Sequence, residues 1–194
     1  MPNVIKSGDS GNTAKVTSDG LLQTYATTRD SFTQVNLDGD AYNINTGFIT
    51  LTNAADTPVL YLKNNETRGF LVAAIAVGVK DSTGGTDLVA ITIVRNPTAG
   101  TIVSNASAVA INSNRNFGSN KALTADAYKG ATGSTMTDGT DHILFVQPDS
   151  GRLFATVDEV LPKGTSIGIK IAPPANNTSM IVYAAIIGHL VEAF

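Results

Sequence analysis

Phe70-Leu71-Val72-Ala73-Ala74-Ile75-Ala76-Val77-Gly78-Val79-Lys80 is the stretch that decides the fold. Read with a period of two, Leu71, Ala73, Ile75, Val77 and Val79 form one face, and Phe70, Val72, Ala74, Ala76 and Gly78 the other. Both faces are apolar, the pattern of a central strand covered on both sides. The second face consists largely of small residues, which lets another backbone or subunit approach closely. The run is too short for a membrane helix, which needs about 18 uninterrupted apolar residues. A turn-rich stretch, Asp81-Ser82-Thr83-Gly84-Gly85-Thr86-Asp87, ends it.

Outward from this strand the texture repeats. Strand-length apolar runs occupy residues 48–51, 59–63, 88–95, 100–104 and 108–111, then 142–147, 152–157, 166–172 and 179–190. Asn96-Pro97 stops the 88–95 run, because proline cannot donate to a ladder. Pro148-Asp149-Ser150-Gly151 separates two runs as a tight turn and predicts a hairpin. In the 166–172 run Ile167, Ile169 and Ile171 alternate with Ser166, Gly168 and Lys170, which predicts one core face and one solvent face. The final run is long enough for a helix, but Ile181, Val182, Tyr183, Ile186 and Ile187 favour a strand. Residues 112–141 form a polar Gly- and Asn-rich tract that reads as a long loop, either a projecting contact loop or a mobile exposed one. The fold class is therefore all-β, a jelly roll or β-sandwich over residues 47–194, with no helix of normal length. Residues 1–46 carry isolated apolar residues without a sustained period and read as an extended N-terminal arm.

Composition bounds the chemistry. The chain has 194 residues, of which 42% are hydrophobic and only 15% charged, so it can bury a core. A net charge of -3 without any Lys/Arg cluster gives no footprint for nucleic acid. Cysteine is absent, which removes disulfides, thiolate catalysis and iron–sulfur clusters. The two histidines, His142 and His189, are too few for a three-histidine metal site and read as core or interface residues. Asp38-Gly39-Asp40, Asp81 with Asp87, and Asp138 with Asp141 are oxygen-rich pairs in turns, without the spacing of a calcium loop. Ser150 lies in a turn, not in a Gly-x-Ser-x-Gly elbow, and Asp158-Glu159 point to opposite faces of a strand. No enzyme activity, metal or cofactor is expected. Nor does a basic region followed by an apolar run open the chain, so no targeting or membrane segment is expected.

Tyr42-Asn43-Ile44-Asn45-Thr46-Gly47-Phe48-Ile49-Thr50-Leu51-Thr52 and Val59-Leu60-Tyr61-Leu62-Lys63-Asn64-Asn65-Glu66 resemble virion structural proteins of tailed bacteriophages. So does Leu161-Pro162-Lys163-Gly164-Thr165-Ser166-Ile167-Gly168-Ile169, followed by Pro173-Pro174. Gly11-Asn12-Thr13-Ala14-Lys15-Val16 and Asp19-Gly20-Leu21-Leu22 are similar in style to capsid-associated termini. The resemblance implies a capsid decoration (cement) protein, a jelly roll with an N-terminal arm. It implies a homotrimer, bound to the major capsid protein on the capsid surface of the virion and assembled in the host cytoplasm. Within that picture Val16, Leu21, Leu22 and Val35 of the arm, and Arg115, Phe117 and Tyr128 of the long tract, are the candidate partner-binding residues. A receptor- or glycan-binding tail module, and a jelly-roll protein that forms the shell itself, are the rival readings.

Overall fold

The computed structural model describes residues 4–6, 13–16, 22–23, 31–52, 55–81 and 87–192. The chain divides into two units, Met1–Ser31 and Phe32–Phe194. In the first, β1 (Val4–Lys6), β2 (Thr13–Val16) and β3 (Leu22–Gln23) form a three-stranded antiparallel sheet, with Val4 opposite Lys15 and Lys15 opposite Gln23.

The second unit opens within a short helix, α1 (Ser31–Leu37), followed by β4 (Ala41–Asn45), β5 (Ile49–Leu51), β6 (Thr57–Asn64), β7 (Gly69–Asp81) and β8 (Leu88–Arg95). A 3-10 turn at Ile102–Ser104 precedes β9 (Ile111–Asn114) and β10 (Ala125–Lys129). The chain ends with β11 (Thr140–Pro148), β12 (Arg152–Leu161), β13 (Ser166–Ala172) and β14 (Met180–Val191). The pairings are nested: β4 with β14, β6 with β13, β7 with β12, and β8 with β11, all antiparallel. A long hairpin wound on itself in this way is a jelly roll. The β14–β7 and β13–β8 pairs complete two sheets, β12-β7-β14-β4-β9 with β5 beside β14, and β10-β6-β13-β8-β11. Between them lies one core, built from residues such as Ile44, Leu60, Phe70, Ile75, Ile91, Ile169 and Ile186, all fully buried.

Strand β7 is central, as its sequence predicts, but its faces exchange partway. Val72 pairs with Gly188 and Ala74 with Ile187, so Ala73 has no partner on β14, and the β12 ladder shifts at the same place. A bulge of one residue moves every later side chain to the other face. Phe70 and Val72 therefore share the core with Ile75, Val77 and Val79, while Ala74, Ala76 and Gly78 face outward.

Other expectations change for identifiable reasons. Residues 41–45, assigned to the arm by composition, are strand β4, so the sandwich begins before residue 47. Residues 31–37 form a helical segment whose Phe32 packs edge-on against His189 at 5.4 Å. The predicted hairpin at 148–151 is a corner between sheets. Its Gly151 N–H donates to Pro148, but the Gly151 carbonyl accepts from Val79 and the Asp149 N–H donates to Asp87, which draws β11 and β12 into opposite sheets. The expected strand at 100–104 is the 3-10 turn, and the 108–111 run supplies one bridge, Val109 to Tyr128, before β9 begins. The supposed loop at 112–141 contributes β9 beside β4 and β10 beside β6.

This insertion between β8 and β11 also covers the outer face of the second sheet. Strand β13 is buried on both sides, not on one: Met136 lies so close over Gly168, with Pro97 beside it, that a side chain there would collide with the methionine. Ser166 donates to the Pro97 carbonyl at 2.7 Å, and Tyr61, 2% exposed, stacks on Tyr128 with ring centroids 6.1 Å apart. Asp138 accepts from the backbone N–H groups of Thr98 and Ala99 at 2.8 and 2.7 Å, pinning the two ends of the insertion together.

Candidate functional site

A jelly roll exposes sheet edges and outer faces, and exposed edges are where chains add to one another. Of β9, β10, β11 and β12, the strands at the ends of the two jelly-roll strand orders, three are blunted. Strand β10 is partly paired by residues 108–110, through Ala110 N–H to Ala127 and Lys129 N–H to Ala108. Strand β9 is short, and the side-chain amides of Asn112 and Asn114 donate to the carbonyls of Leu123 and Lys121. Strand β12 has exposed Arg152 and Asp158, a ladder shift between Thr156 and Glu159, and Asp158 at φ +48°, the left-handed region.

Strand β11 is different. Between the shift at 141–143 and Pro148 it runs Ile143-Leu144-Phe145-Val146-Gln147, without a charge or a bulge. Ile143 and Phe145 pack toward the core, while Leu144 and Val146 are 64% and 57% exposed. Their ladder partners Thr92 and Ala90, with Pro148 opposite Leu88 (64% exposed), extend this apolar strip across β8. No backbone hydrogen bond among the described residues reaches the free side of residues 143–147. One end is clasped to the opposite sheet by His142, whose Nε2 lies 2.9 Å from Glu159 Oε1.

The second exposed surface is the outer face of β12-β7-β14. Cross-strand neighbours share a face, so the rows Arg152·Gly78·Tyr183, Phe154·Ala76·Ala185 and Thr156·Ala74·Ile187 lie side by side. Tyr183 lies directly against Gly78, where any side chain would displace the ring. Phe48 meets Tyr183 edge-on at 6.1 Å, and with Thr50, Lys80, Ser150, Arg152 and Ile181 these residues border a groove of about 610 Å³.

The residues named from sequence are scattered. Val16 and Leu22 lie in β2 and β3 of the first unit, and Leu21 and the side chains of all three are outside the described residues. Val35 is half-buried in α1. Arg115 stacks over the Phe32 ring at 5.1 Å, and Tyr128 is part of β10. Phe117 alone projects, fully exposed, beside a shallow hollow lined by Asn43, Ser113, Asn114 and Arg115. The tract is thus a clamped cover, not a projecting loop. The groove and the β11 strip carry only one signal in the sequence, the small-residue face of β7.

The polar candidates are occupied structurally. Burial alone would raise the Asp40 carboxyl, but Lys121 and Arg68, at 2.8 and 2.7 Å, hold it below its usual range. Hydrogen bonds from Thr98, first the side chain and then the backbone, lower Asp138. Asp141 shares Lys170 with Asp56, and this pairing outweighs burial to raise the Lys170 ammonium. His189 is buried, its Nδ1 is without a partner, and burial pushes its pKa down. Among the described residues no cluster of three or more His, Asp or Glu could hold a metal ion. Neither histidine is hydrogen-bonded to Ser150 among the described residues. No helix of the described residues is long and apolar enough to cross a membrane. The chain matches no protein-family model and no curated protein.

Proposed function

We propose that this chain is a structural virion protein, a capsid decoration subunit that acts by burial of surface and not by chemistry. The observation that carries the reading is the β11 edge, apolar and unblunted where β9, β10 and β12 at the other ends of the two strand orders are blunted. An extended segment of a partner can add to such an edge through main-chain hydrogen bonds, and the adjacent strip of Leu88, Leu144 and Val146 supplies apolar contact. In this reading the partners are the major capsid protein and further copies of the chain, arranged as a homotrimer. Repetition over a symmetric shell multiplies weak contacts into firm attachment. The jelly-roll fold and the virion-like stretches around Tyr42 and Leu161 agree with the proposal, since fold alone does not fix function.

The test is Val146→Lys, a gatekeeper charge placed on the edge. Capsids lacking the protein are incubated with the wild-type chain or the variant and sedimented. The variant is expected to remain folded and to lose shell occupancy at least tenfold. Undiminished occupancy would sink the proposal. A companion deletion tests the arm, and it ends at residue 30, because Asp40 is already paired to Arg68 and Lys121 in the sandwich.

A further inference from the structure

The groove on the outer face of β12-β7-β14 has properties that docking at the β11 edge does not use. Its lining contains Lys80 and Arg152 and no carboxylate. Neither cation has an acidic partner among the described residues. Two unpaired cations over a low-dielectric floor attract an anion. Phe48 is 82% exposed beside the Tyr183 ring, so two aromatic side chains border the same space as the cations. Thr50 and Ser150 place hydroxyls there, and no hydrogen bond among the described residues engages the Tyr183 phenol or the Ser150 hydroxyl.

We propose that this groove binds an acidic saccharide, a sugar ring that carries a carboxylate. The apolar C–H face of a pyranose packs on an aromatic ring, its hydroxyls pair with short side-chain hydroxyls, and its carboxylate takes the Arg152 guanidinium. A peptide is the poorer fit. The groove lies on a sheet face, where β7 is paired on both sides by β12 and β14, so its main chain has no ladder donors left to offer a peptide backbone. Recognition must come from side-chain rings, hydroxyls and charges. The platform is preorganised, because Tyr183 rests on Gly78 and cannot sink further. This inference does not depend on the decoration reading, and binding at the groove leaves the β11 edge free.

The experiment is calorimetric titration of the full chain with 3′-sialyllactose, with a galacturonate hexamer, with neutral lactose and with a hexaglutamate peptide. One of the two acidic saccharides is expected to bind, and to bind at least tenfold more tightly than lactose and hexaglutamate. Which of them binds separates a terminal acidic sugar from an acidic polymer. Phe48→Ala and Arg152→Gln, both at exposed positions, are each expected to weaken that binding at least tenfold with unchanged circular dichroism. The proposal is overturned if neither acidic saccharide binds at millimolar concentration, if hexaglutamate binds as tightly, or if Phe48→Ala binds as well as wild type.

Discussion

The two sheets of the jelly roll pair their strands in the same nested order, yet their outer faces have opposite fates. The face of β10-β6-β13 lies beneath the insertion between β8 and β11, and Tyr61, Gly168 and Ser166 on it are as buried as the core. The face of β12-β7-β14 is covered at one end, where Phe32 of α1 packs on His189, and elsewhere Phe48, Phe154 and Ile181 remain exposed on or beside it. A single chain thus makes a three-layer structure on one side and leaves a two-layer structure on the other. Apolar residues on a covered face contribute stability, whereas those on an open face contribute little until something docks there.

The strongest way to break this comparison is Tyr61→Ala. Tyr61 is 2% exposed and stacked on Tyr128, so truncation removes a buried aromatic and leaves a cavity beside that ring. The expected loss is about 3–5 kcal/mol by urea denaturation. A loss under about 1 kcal/mol would mean that the insertion does not cover that face. Gly168→Val attacks the same layer from below. Its side chain would meet Met136 and Pro97, and the strain of overpacking is expected at about 1–3 kcal/mol. The double variant Gly168→Val/Met136→Ala should recover part of that loss, because the methionine is the nearer obstacle and the more adaptable one.

A smaller effect concerns His189, which α1 covers through Phe32. Burial lowers its folded pKa below the unfolded value of about 6.5. Between those two values the unfolded state binds more protons, so stability rises with pH there. The contribution is fully present above about pH 6.5 and is lost as pH falls through that value toward the folded pKa. His189→Leu should flatten this part of the stability–pH curve, measured by denaturant midpoints from pH 5 to pH 8. An unchanged slope would assign the dependence to another group.

These regions differ in how far the sequence discloses them. The apolar run of β7 and the β-branched content of β14 are local properties, and both strands follow directly from them. The bulge at Ala73 is not local, because it is defined by what β12 and β14 do opposite it. Turn chemistry at Pro148-Asp149-Ser150-Gly151 is the same for a hairpin and for a corner. The outcome depends on Val79 and Asp87, which bond its backbone from outside. Asn112-Ser113-Asn114 has the composition of a turn and becomes strand β9 because the edge of β4 is there to pair with it. The helix Ser31–Leu37 has only Gln34 and Leu37 as strong helix formers and leans on packing of Phe32 against His189 and Arg115. The groove draws Phe48, Lys80, Arg152 and Tyr183 from four separate strands or their flanks, so no window of sequence contains it.

The smallest expected effect is the most informative about the open face. Phe154 is 67% exposed in the row with Ala76 and Ala185. In a face that meets only water, Phe154→Thr should change stability by no more than about 0.5 kcal/mol, since threonine also suits a strand. That holds at a protein concentration low enough to keep copies apart. If copies pack through this face instead, the same substitution costs more, and its cost grows with protein concentration because association stabilises the folded state by mass action. Denaturation midpoints at 1 and 100 µM, compared for wild type and Phe154→Thr, separate the two cases. A wild-type midpoint that rises with concentration and a variant midpoint that does not would show that the open face is covered by a second copy. Midpoints that coincide at both concentrations leave the face as solvent-exposed surface, with Phe48, Tyr183 and the two unpaired cations free to take a ligand.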